Sequence, residues 1–242
     1  MSLADKVLAV EAVLAEVAEA LSPAAFASSF GAEDVVLTDL IARRFRGIEI
    51  FTLDTGRLPE ATHALMRELA DRYELPIRIY YPDATELEAY LAAHGPNAFF
   101  DSIELRKACC GIRKVSPLRR ALAGKRAWIT GLRREQSPTR TGIMVSEFDR
   151  EHGMQKFNPL FDWTRNEVWS YIRDNGLPYN ALHDQGYASI GCAPCTRAIT
   201  VGEDERAGRW WWENPETKEC GLHPAKRGGT RSGISEIDKV TS

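Results

Sequence analysis

Five cysteines are the side chains of this 242-residue chain best suited to chemistry. Cys109 and Cys110 are adjacent, Cys192 and Cys195 form a C-x-x-C pair, and Cys220 stands apart near the C-terminus. Neighbouring residues have Cα atoms only about 3.8 Å apart, which is shorter than the usual span of a disulfide. The adjacent thiols are therefore better suited to a metal ion or a cluster than to a bond with each other.

Two kinds of metal centre fit four thiolates. Zinc takes four ligands in a tetrahedron, and an iron–sulfur cluster takes one thiolate on each of its irons. Adjacent residues crowd around a single ion, whereas a cubane offers each thiolate its own iron, so we favour a cluster. Two alternatives stay open: all four are small buried hydrophobes, or Cys192 and Cys195 form a thioredoxin-like redox pair, which leaves Cys109 and Cys110 without a role.

Composition and charge are those of an ordinary globular domain. Hydrophobic residues make up 44% of the chain and charged residues 27%, and 31 basic against 34 acidic residues give a formal charge of -3. The N-terminal stretch lacks the basic start and continuous apolar run of a signal peptide. No stretch approaches the roughly 20 apolar residues of a membrane span. We expect a cytoplasmic protein, in a compartment that keeps thiols reduced, with no membrane partner.

Short apolar strands alternate with helices along the sequence. The strands are predicted at Ala24–Ser28, at Ile48–Leu53, in "PIRIYYPD" and in "KRAWITGLR". A capping box, Thr164-x-x-Glu167, opens a later helix. The alternation predicts an α/β fold with a mostly parallel sheet flanked by helices. Because the end of the chain is rich in Gly, Ser and charge, we expect a domain at 1–209 and a mobile tail at 210–242.

Three of these strands end in polar turns. Ligands of open parallel sheets bind beyond the carboxyl ends of the strands, so we expect these turns to meet. The first turn brings hydroxyls and free N–H groups to a helix N-terminus, which favours an anion, although ordinary turn chemistry explains each turn equally well by itself. The predicted phosphate site comprises Ser28, Ser29 and Gly31; Asp54, Thr55, Gly56 and Arg57; and Arg133, Arg134, Gln136, Ser137 and Arg140.

Basic residues concentrate between Asp101 and Arg140, where eleven Lys or Arg face three acidic residues. A charge run is usually a solvated helix face. Arg133, Arg134 and Arg140, however, lie in a strand-end loop, and guanidinium forks match the oxygens of phosphate and sulfate. The expected ligand is a small, multiply charged anion. No recognisable motif supports a nucleic-acid partner.

Several separated motifs together resemble one family. They are "SSFGAEDVVL", "LDTGRL", "CCGIRKVSPL", "GLRREQSPTR", "PLFDWT", "GCAPCTR" and "ECGLH". From about Ala25 to His223 the chain is similar to the assimilatory sulfonucleotide reductases, specifically the iron–sulfur type that reduces adenylyl sulfate with thioredoxin. That family has the adenine nucleotide alpha hydrolase-like fold. Its relatives, the PP-loop ATP pyrophosphatases, carry an SGGxDS loop where this chain has "SSFGAED".

The resemblance implies one four-iron four-sulfur cluster per chain. Its ligands would be Cys109, Cys110, Cys192 and Cys195. Lys114 would lie between this cluster and the sulfate of the substrate.

The resemblance also implies how the substrate is bound. Arg133, Arg134 and Arg140 would help to bind the phosphosulfate. Arg206 and Arg209 match family positions near the nucleotide and the closing tail, which also carries His223.

The remaining cysteine is the implied nucleophile. The thiolate of Cys220 would attack the sulfur of the phosphosulfate, expel AMP and leave an S-sulfocysteine. A positively charged pocket lowers the pKa of a thiol and so favours this form. Reduced thioredoxin, with glutaredoxin as its alternative, would then release sulfite for cysteine biosynthesis. Association into a homo-oligomer stays open.

Three other functions stay open. Phosphoadenylyl sulfate is an alternative substrate, alone or beside adenylyl sulfate, although family members that use it generally lack the four cluster cysteines. A PP-loop ATP pyrophosphatase would need the SGGxDS loop. A metal-binding nucleic-acid module would explain four cysteines but not Cys220.

Overall fold

The computed structural model describes residues 1–137, residues 140–214 and Leu222. Helices and strands alternate along these residues. The α-helices are α1 (Leu3–Ala20), α2 (Ala32–Arg44), α3 (Glu60–Tyr73), α4 (Ala84–His94), α5 (Ile103–Cys110), α6 (Ser116–Leu122) and α7 (Arg165–Asp174). The strands are β1 (Ala24–Ala27), β2 (Glu49–Leu53), β3 (Ile77–Tyr80), β4 (Ala127–Ile129), β5 (Ser146–Asp149) and β6 (Met154–Phe157). None of the helices described here is both long and apolar enough to cross a membrane.

The predicted tail lies mostly beyond this part of the chain. Residues 215–221 and 223–242 are outside the described residues, and they include Cys220 and His223. The flexible tail carrying the catalytic cysteine, and the domain boundary after residue 209, therefore stay predictions.

The strands form one six-stranded sheet in the order β3-β2-β1-β4-β6-β5. Neighbouring strands pair in parallel, except that β5 and β6 form an antiparallel hairpin at one edge. The chain builds β1, β2 and β3 toward one side and then returns to place β4 on the other side of β1. In open parallel sheets, a crevice forms where the strand order reverses in this way.

The predicted fold class is confirmed, and the four predicted strands are β1 to β4, each within a few residues of its expected bounds. The capping box at Thr164 and Glu167 is also present at the start of α7. The β5–β6 hairpin was not predicted. The residues of β5 alternate between exposed and half-buried and include two acids, so its sequence resembles a loop more than a strand.

Apolar side chains cover both faces of the sheet. Phe26 of β1 and Ile129 of β4 pack in the larger cluster, with α1, α2, α3 and α7. Their strand neighbours, Ala25 and Trp128, pack in a second cluster, with α6. Successive strand residues point to opposite faces, so a strand buried on both faces needs a continuous apolar run. This requirement explains the short "AAFA" and "AWI" strands.

One buried carboxylate joins three helices of the larger layer. Asp39 of α2 is 0% exposed and accepts hydrogen bonds from the hydroxyls of Tyr73 at 2.5 Å and Tyr171 at 2.7 Å. The Nε of Arg43 donates to the same carboxylate at 2.7 Å. Burial and the bond to Asp39 raise the pKa of both tyrosines. Because α2 begins at the crevice, this network helps to fix the position of the crevice wall.

We expect Asp39→Ala to lower the free energy of unfolding by about 3 kcal/mol, because it leaves two buried hydroxyls without their acceptor. The matched control is Asp71→Ala on α3, where the carboxylate is 74% exposed and 3.7 Å from Arg67. This change is expected to cost less than about 0.5 kcal/mol. Urea denaturation followed by circular dichroism measures both, and equal losses would contradict the structural role of Asp39.

Candidate active site

A large cavity opens at the carboxyl ends of β1, β2 and β4. Ala27, Leu53 and Thr130 line it at the ends of these three strands. The hydroxyl of Thr130 donates a hydrogen bond to Asn158 at 2.6 Å, which ties this strand end to the residue after β6. The cavity therefore occupies the crevice expected from the reversal of strand order.

The turn after β1 forms one wall of this cavity. Ser28, Ser29 and Gly31 all line it, and Gly31 is the N-cap of α2. The backbone N–H and the hydroxyl of Ser29 donate to Asp34 Oδ2 at 2.6 and 2.7 Å, which folds the turn back onto the helix. The first turn of a helix carries N–H groups that attract anions. The structure thus brings this predicted group of residues together as one wall of the cavity, which we call the cradle, and its binding of an anion stays a prediction.

The carboxylate of Asp34 holds the cradle at an energetic cost. Asp34 is only 6% exposed, and burial raises its pKa to about 6, although hydrogen bonds from Ser29 oppose that shift. Carboxyl groups whose pKa is shifted in this way occur often at functional sites, and Asp34 lines the cavity.

Four cationic side chains line the same cavity: Lys114, Arg140, Arg206 and Arg209. Arg140 Nη1 donates to Gln136 Oε1 at 2.5 Å, and Gln136 lines the cavity as well. Ammonium and guanidinium groups that converge in this way suit the oxygens of phosphate and sulfate. All five were predicted site residues, and the structure brings them together with the cradle.

Arg133 has a different environment from the one predicted. It is 0% exposed and does not line the cavity. Its guanidinium donates to Glu33 at 2.7 Å, Glu135 at 3.1 Å and Glu205 at 3.1 Å. Three carboxylates occupy the fork of Arg133 in this structure, and its direct contact with an anion stays a prediction.

Arg134 also lies away from the cavity. Its Nε donates to the carbonyl oxygen of Ile143 at 2.8 Å, and its guanidinium stacks 4.6 Å from the ring centre of Phe161. The anion contact of Arg134 therefore stays a prediction.

The turn after β2 serves a second, smaller cavity. Arg57 lines that cavity, and the hydroxyl of Thr55 lies 3.2 Å from Cys192 Sγ. Asp54 Oδ1 accepts from the N–H of Gly56 at 2.8 Å and closes the turn. Arg57 and Thr55 thus lie on the cysteine side of the site, whereas Asp54 and Gly56 line neither cavity, and Asp54 Oδ2 lies 2.9 Å from His63 Nε2.

Four cysteines line the smaller cavity. Cys109 and Cys110 end α5, and Cys192 and Cys195 flank the short helical turn Ala193–Cys195. All four are free thiols. The other lining residues are Arg57, Phe99, Arg106, Arg113, Lys114 and Pro194. Within the described ranges, no group of three or more His, Cys, Asp or Glu side chains is arranged to hold a single metal ion.

The residues of this cavity fit an iron–sulfur cluster by their chemistry. Four thiols supply the four ligands that such a cluster takes. The cations Arg57, Arg106, Arg113 and Lys114 are suited to offset the negative charge that four thiolates would bring.

The charges around the thiols are uneven. Burial raises the pKa of Cys192, but the positive charge of Lys114, the hydroxyl of Thr55 and the charge of Arg209 outweigh it, so the pKa is lowered overall. Burial and the neighbouring Cys192 raise the pKa of Cys195 to about 11. The C-x-x-C pair therefore contains one thiol that favours the thiolate and one that resists it.

The two cavities share a wall. Lys114 lines both of them. Trp210 is 1% exposed, lines the large cavity and packs with Cys110, Cys192 and Cys195. An anion in the large cavity and a group held by the cysteines would therefore be separated by one ammonium group and one indole ring.

Leu222 is the one residue of the "ECGLH" motif that the structure describes. It lines the large cavity and packs against the cluster of Ala25, Phe51 and Leu118. The predicted catalytic residues Cys220 and His223 lie outside the described residues.

Asp34, Glu205 and Trp210 are three of the residues that line these cavities without having been predicted. Two of them had visible signals, since Asp34 belongs to "SSFGAED" and Trp210 begins a run of three tryptophans. Glu205 had none, because its partner Arg133 is 72 residues away in the sequence.

The mostly parallel six-stranded sheet, with a cavity where its strand order reverses, has the α/β architecture expected of the adenine nucleotide alpha hydrolase-like fold. The phosphoadenosine phosphosulfate reductase domain family matches residues 23–198, and the chain belongs to this family. The chain is 56% identical over 211 residues to an adenosine 5'-phosphosulfate reductase of Allochromatium vinosum, which covers 87% of this chain and 82% of that one. It is 51% identical over 221 residues to an adenosine 5'-phosphosulfate reductase of Burkholderia cepacia, with 91% and 88% covered.

Solved structures agree with this fold. A phosphoadenylyl-sulfate reductase from Candida auris, in a phosphate complex, has a TM-score of 0.67 at 28% identity and covers 78% of this chain and 90% of its own. An ammonia-dependent NAD synthetase from Campylobacter jejuni has a TM-score of 0.54 at 12% identity, covers 77% of this chain and 79% of its own, and shows the fold alone.

We expect Gly131→Ala to weaken the binding of AMP, used as a probe, by at least about tenfold. Gly131 lines the cavity, and a Cβ there would overlap Asp34 Oδ1, so the carboxylate would have to leave the cradle. The matched control is Gly142→Ala, where an added Cβ meets nothing within 4 Å. Calorimetric titration measures both variants, and unchanged affinity in Gly131→Ala would contradict the role of Asp34.

Proposed function

We propose that this protein reduces adenylyl sulfate to sulfite and AMP, with reduced thioredoxin as electron donor, in assimilatory sulfate reduction. The observation that carries the proposal is that Lys114 lines both the anion-binding cavity and the four-cysteine cavity. The relatives named adenosine 5'-phosphosulfate reductase support this choice of substrate. The reaction belongs in the cytoplasm and needs neither nucleic acid nor a membrane.

The large cavity offers both halves of the substrate a suitable surface. N–H groups at the start of α2 and the guanidinium groups of Arg140, Arg206 and Arg209 suit the phosphosulfate. Apolar side chains such as Phe51 and Leu118 line another part of the cavity and suit the flat adenosine. The substrate is thus held with its sulfate toward Lys114.

The cofactor in this proposal is one four-iron four-sulfur cluster per chain, held by Cys109, Cys110, Cys192 and Cys195. When bound, such a cluster supplies a compact centre of charge beside the sulfate rather than the reducing electrons. Lys114 can polarise the sulfate while it offsets the charge of the nearby thiolates.

Cys220 carries the covalent step. Its thiolate attacks the substrate's sulfur, a sulfur–sulfur bond forms, the bond from that sulfur to the phosphate oxygen breaks, and AMP leaves. One thiolate of thioredoxin then attacks Cys220 Sγ and releases sulfite, and its second thiol resolves the mixed disulfide. The two electrons come from the thioredoxin dithiol. The described neighbour of this cysteine, Leu222, lines the large cavity, which supports its access to the substrate, and His223 belongs to the same motif.

We expect anaerobically purified protein to be brown and to contain about four iron and four sulfide per chain. Cys192→Ser is expected to lose iron, sulfide and sulfite release together, because it removes one thiolate of the set. Cys220→Ser is the matched control outside the set, and it should keep its iron and colour but release no sulfite. Stoichiometric zinc without sulfide would contradict the cluster.

Mass spectrometry extends this comparison to the nucleophile. Without thioredoxin, the wild type should release about one AMP per chain and gain one SO3 group on the peptide that contains Cys220, because the covalent step precedes the reductant. An adduct on Cys192 or Cys195, or normal turnover by Cys220→Ser, would show that another thiol attacks.

A further expectation concerns which of two sulfonucleotides the protein prefers as substrate. With thioredoxin supplied, kcat/KM for adenylyl sulfate should exceed that for phosphoadenylyl sulfate by at least about tenfold, or about 1.4 kcal/mol in transition-state binding. Initial rates of sulfite release measure the ratio. Comparable rates would indicate dual use, and the reverse order would support the alternative that the similarity to a phosphoadenylyl-sulfate reductase suggests.

A further inference from the structure

Behind the anion-binding cavity lies an ion-pair centre around the buried guanidinium of Arg133, which we call the Arg133 centre: Arg133, Glu33, Glu135 and Glu205, of which Glu135 is 52% exposed. Arg133 Nε donates to Glu33 at 2.7 Å, Nη1 to Glu135 at 3.1 Å, and Nη2 to both oxygens of Glu205 at 3.1 and 3.3 Å. The Arg133 side chain is 1% exposed, and those of Glu33 and Glu205 are 13% and 17% exposed. Each donor direction of the guanidinium fork thus has a carboxylate partner.

The three carboxylates belong to different segments. Glu33 lies in the first turn of α2, beside the cradle. Glu135 Oε2 also accepts from the backbone N–H of Arg165, the first residue of α7, at 2.6 Å. Glu205 immediately precedes Arg206. The Arg133 centre therefore joins the cradle, the start of α7 and the segment that supplies the cation Arg206.

The backbone around Glu205 leaves little freedom between it and Arg206. The N–H of Arg206 donates to Asp204 Oδ1 at 2.8 Å. The N–H of Arg209 donates to the carbonyl oxygen of Arg206 at 2.9 Å. A tight turn of this kind moves as a unit, so the position of the Glu205 carboxylate determines where the Arg206 side chain begins.

The centre also fixes the wall of the cavity itself. Glu33 and Glu205 line the cavity, and Arg133 does not. Burial and the charge of Glu33 raise the pKa of Glu205 to about 7, although the charge of Arg133 opposes both. The guanidinium of Arg133 thus holds these two carboxylates together in the cavity wall.

We propose that Arg133 is a positioning residue that fixes Arg206 through Glu205 and thereby sets the affinity of the cavity for the anionic half of its ligand. The inference rests on the proposed function, which assigns an adenylyl anion to this cavity. It replaces direct anion contact as the role of Arg133. Arg133 Nη2 contacts both carboxylate oxygens of Glu205, at 3.1 and 3.3 Å, and charge-assisted bonds of this kind suit the pair to hold the carboxylate in place.

The test uses substitutions that keep every charge and change only the geometry. Glu205→Asp shortens the anchor by one methylene group, and Arg133→Lys keeps the positive charge but loses the fork. The readout is the ratio of the dissociation constants of adenosine and AMP, measured by calorimetric titration of the full chain. A merely structural loss would weaken both ligands alike and leave this ratio unchanged.

We expect each variant to lower the ratio at least about fivefold, with the affinity for adenosine itself nearly unchanged. The matched control is Glu203→Asp on the same segment, where Glu203 pairs with Arg197 through two bonds of 2.7 and 3.0 Å and does not line the cavity. Its ratio should match that of the wild type. In an Arg206→Ala background, Glu205→Asp should have no further effect, because the residue through which it acts is gone.

The outcomes distinguish the proposed function from the positioning role of Arg133. A wild-type chain that binds AMP no better than adenosine overturns the proposed function itself. If the wild-type ratio is normal and Glu205→Asp leaves it unchanged, the positioning role alone is overturned. An equal fall of the ratio in Glu203→Asp has the same consequence. If Arg133→Lys fails to fold, Glu205→Asp and its double-mutant cycle still decide the question.

Discussion

The position of Lys114 between two cavities is the constraint on which this site depends. Lys114 lies four residues after Cys110, and Arg113 lies four residues after Cys109. Residues four apart lie on the same face of a helix, so the chain that carries two thiols also carries two cations beside them. The π-helical turn Gly111–Val115 continues α5 directly into α6. Such widened turns often occur at functional sites, and this one presents the amine to both cavities.

Charge pairing determines which of the many ionic groups face a ligand. Asp34 illustrates the cost: its pKa is raised from 3.8 to about 6 by burial, so the folded state binds this proton more tightly than the unfolded state does. Its contribution to stability therefore falls as pH rises from about 4 to 6 and stays low above that range. At neutral pH the chain carries an ionised carboxylate that lowers stability but orders the turn at Ser29. The cradle is thus ordered at a cost in stability, as is common at functional sites.

The sequence predicts which residue types form the site more fully than it predicts where their side chains point. The convergence of Cys109 and Cys110 with Cys192 and Cys195 could be predicted, because four thiols in one chain need a common explanation. The orientation of the Arg133 side chain could not be predicted. A strand-end arginine can point toward the cavity or behind it, and the choice depends on Glu33 and on Glu205, which are 100 and 72 residues away in the sequence.

The same limit applies to the turn after β2 and to the edge of the sheet. Strand-end geometry predicts that Asp54 and Arg57 lie near the crevice, but not which of two adjacent cavities Arg57 lines. That choice follows from the hydrogen bond of the Ala193 N–H to the carbonyl oxygen of Arg57, at 2.8 Å, which ties the turn to the C-x-x-C segment. The β5–β6 hairpin escaped prediction because an edge strand needs little apolar surface.

The shared wall makes the two cavities electrostatically dependent on each other. Lys114 and Arg209 lower the pKa of Cys192, and both line the large cavity. A thiolate on one side and a ligand anion on the other are attracted by the same cations and repel each other. By linkage, an anion in the large cavity must weaken the thiolate form as much as the thiolate weakens the binding of the anion. Arg57, Arg106 and Arg113 line the cysteine cavity but not the large one, and because Arg106 is paired with Glu213 at 2.7 Å, part of the positive charge beside the thiols is already balanced by the protein.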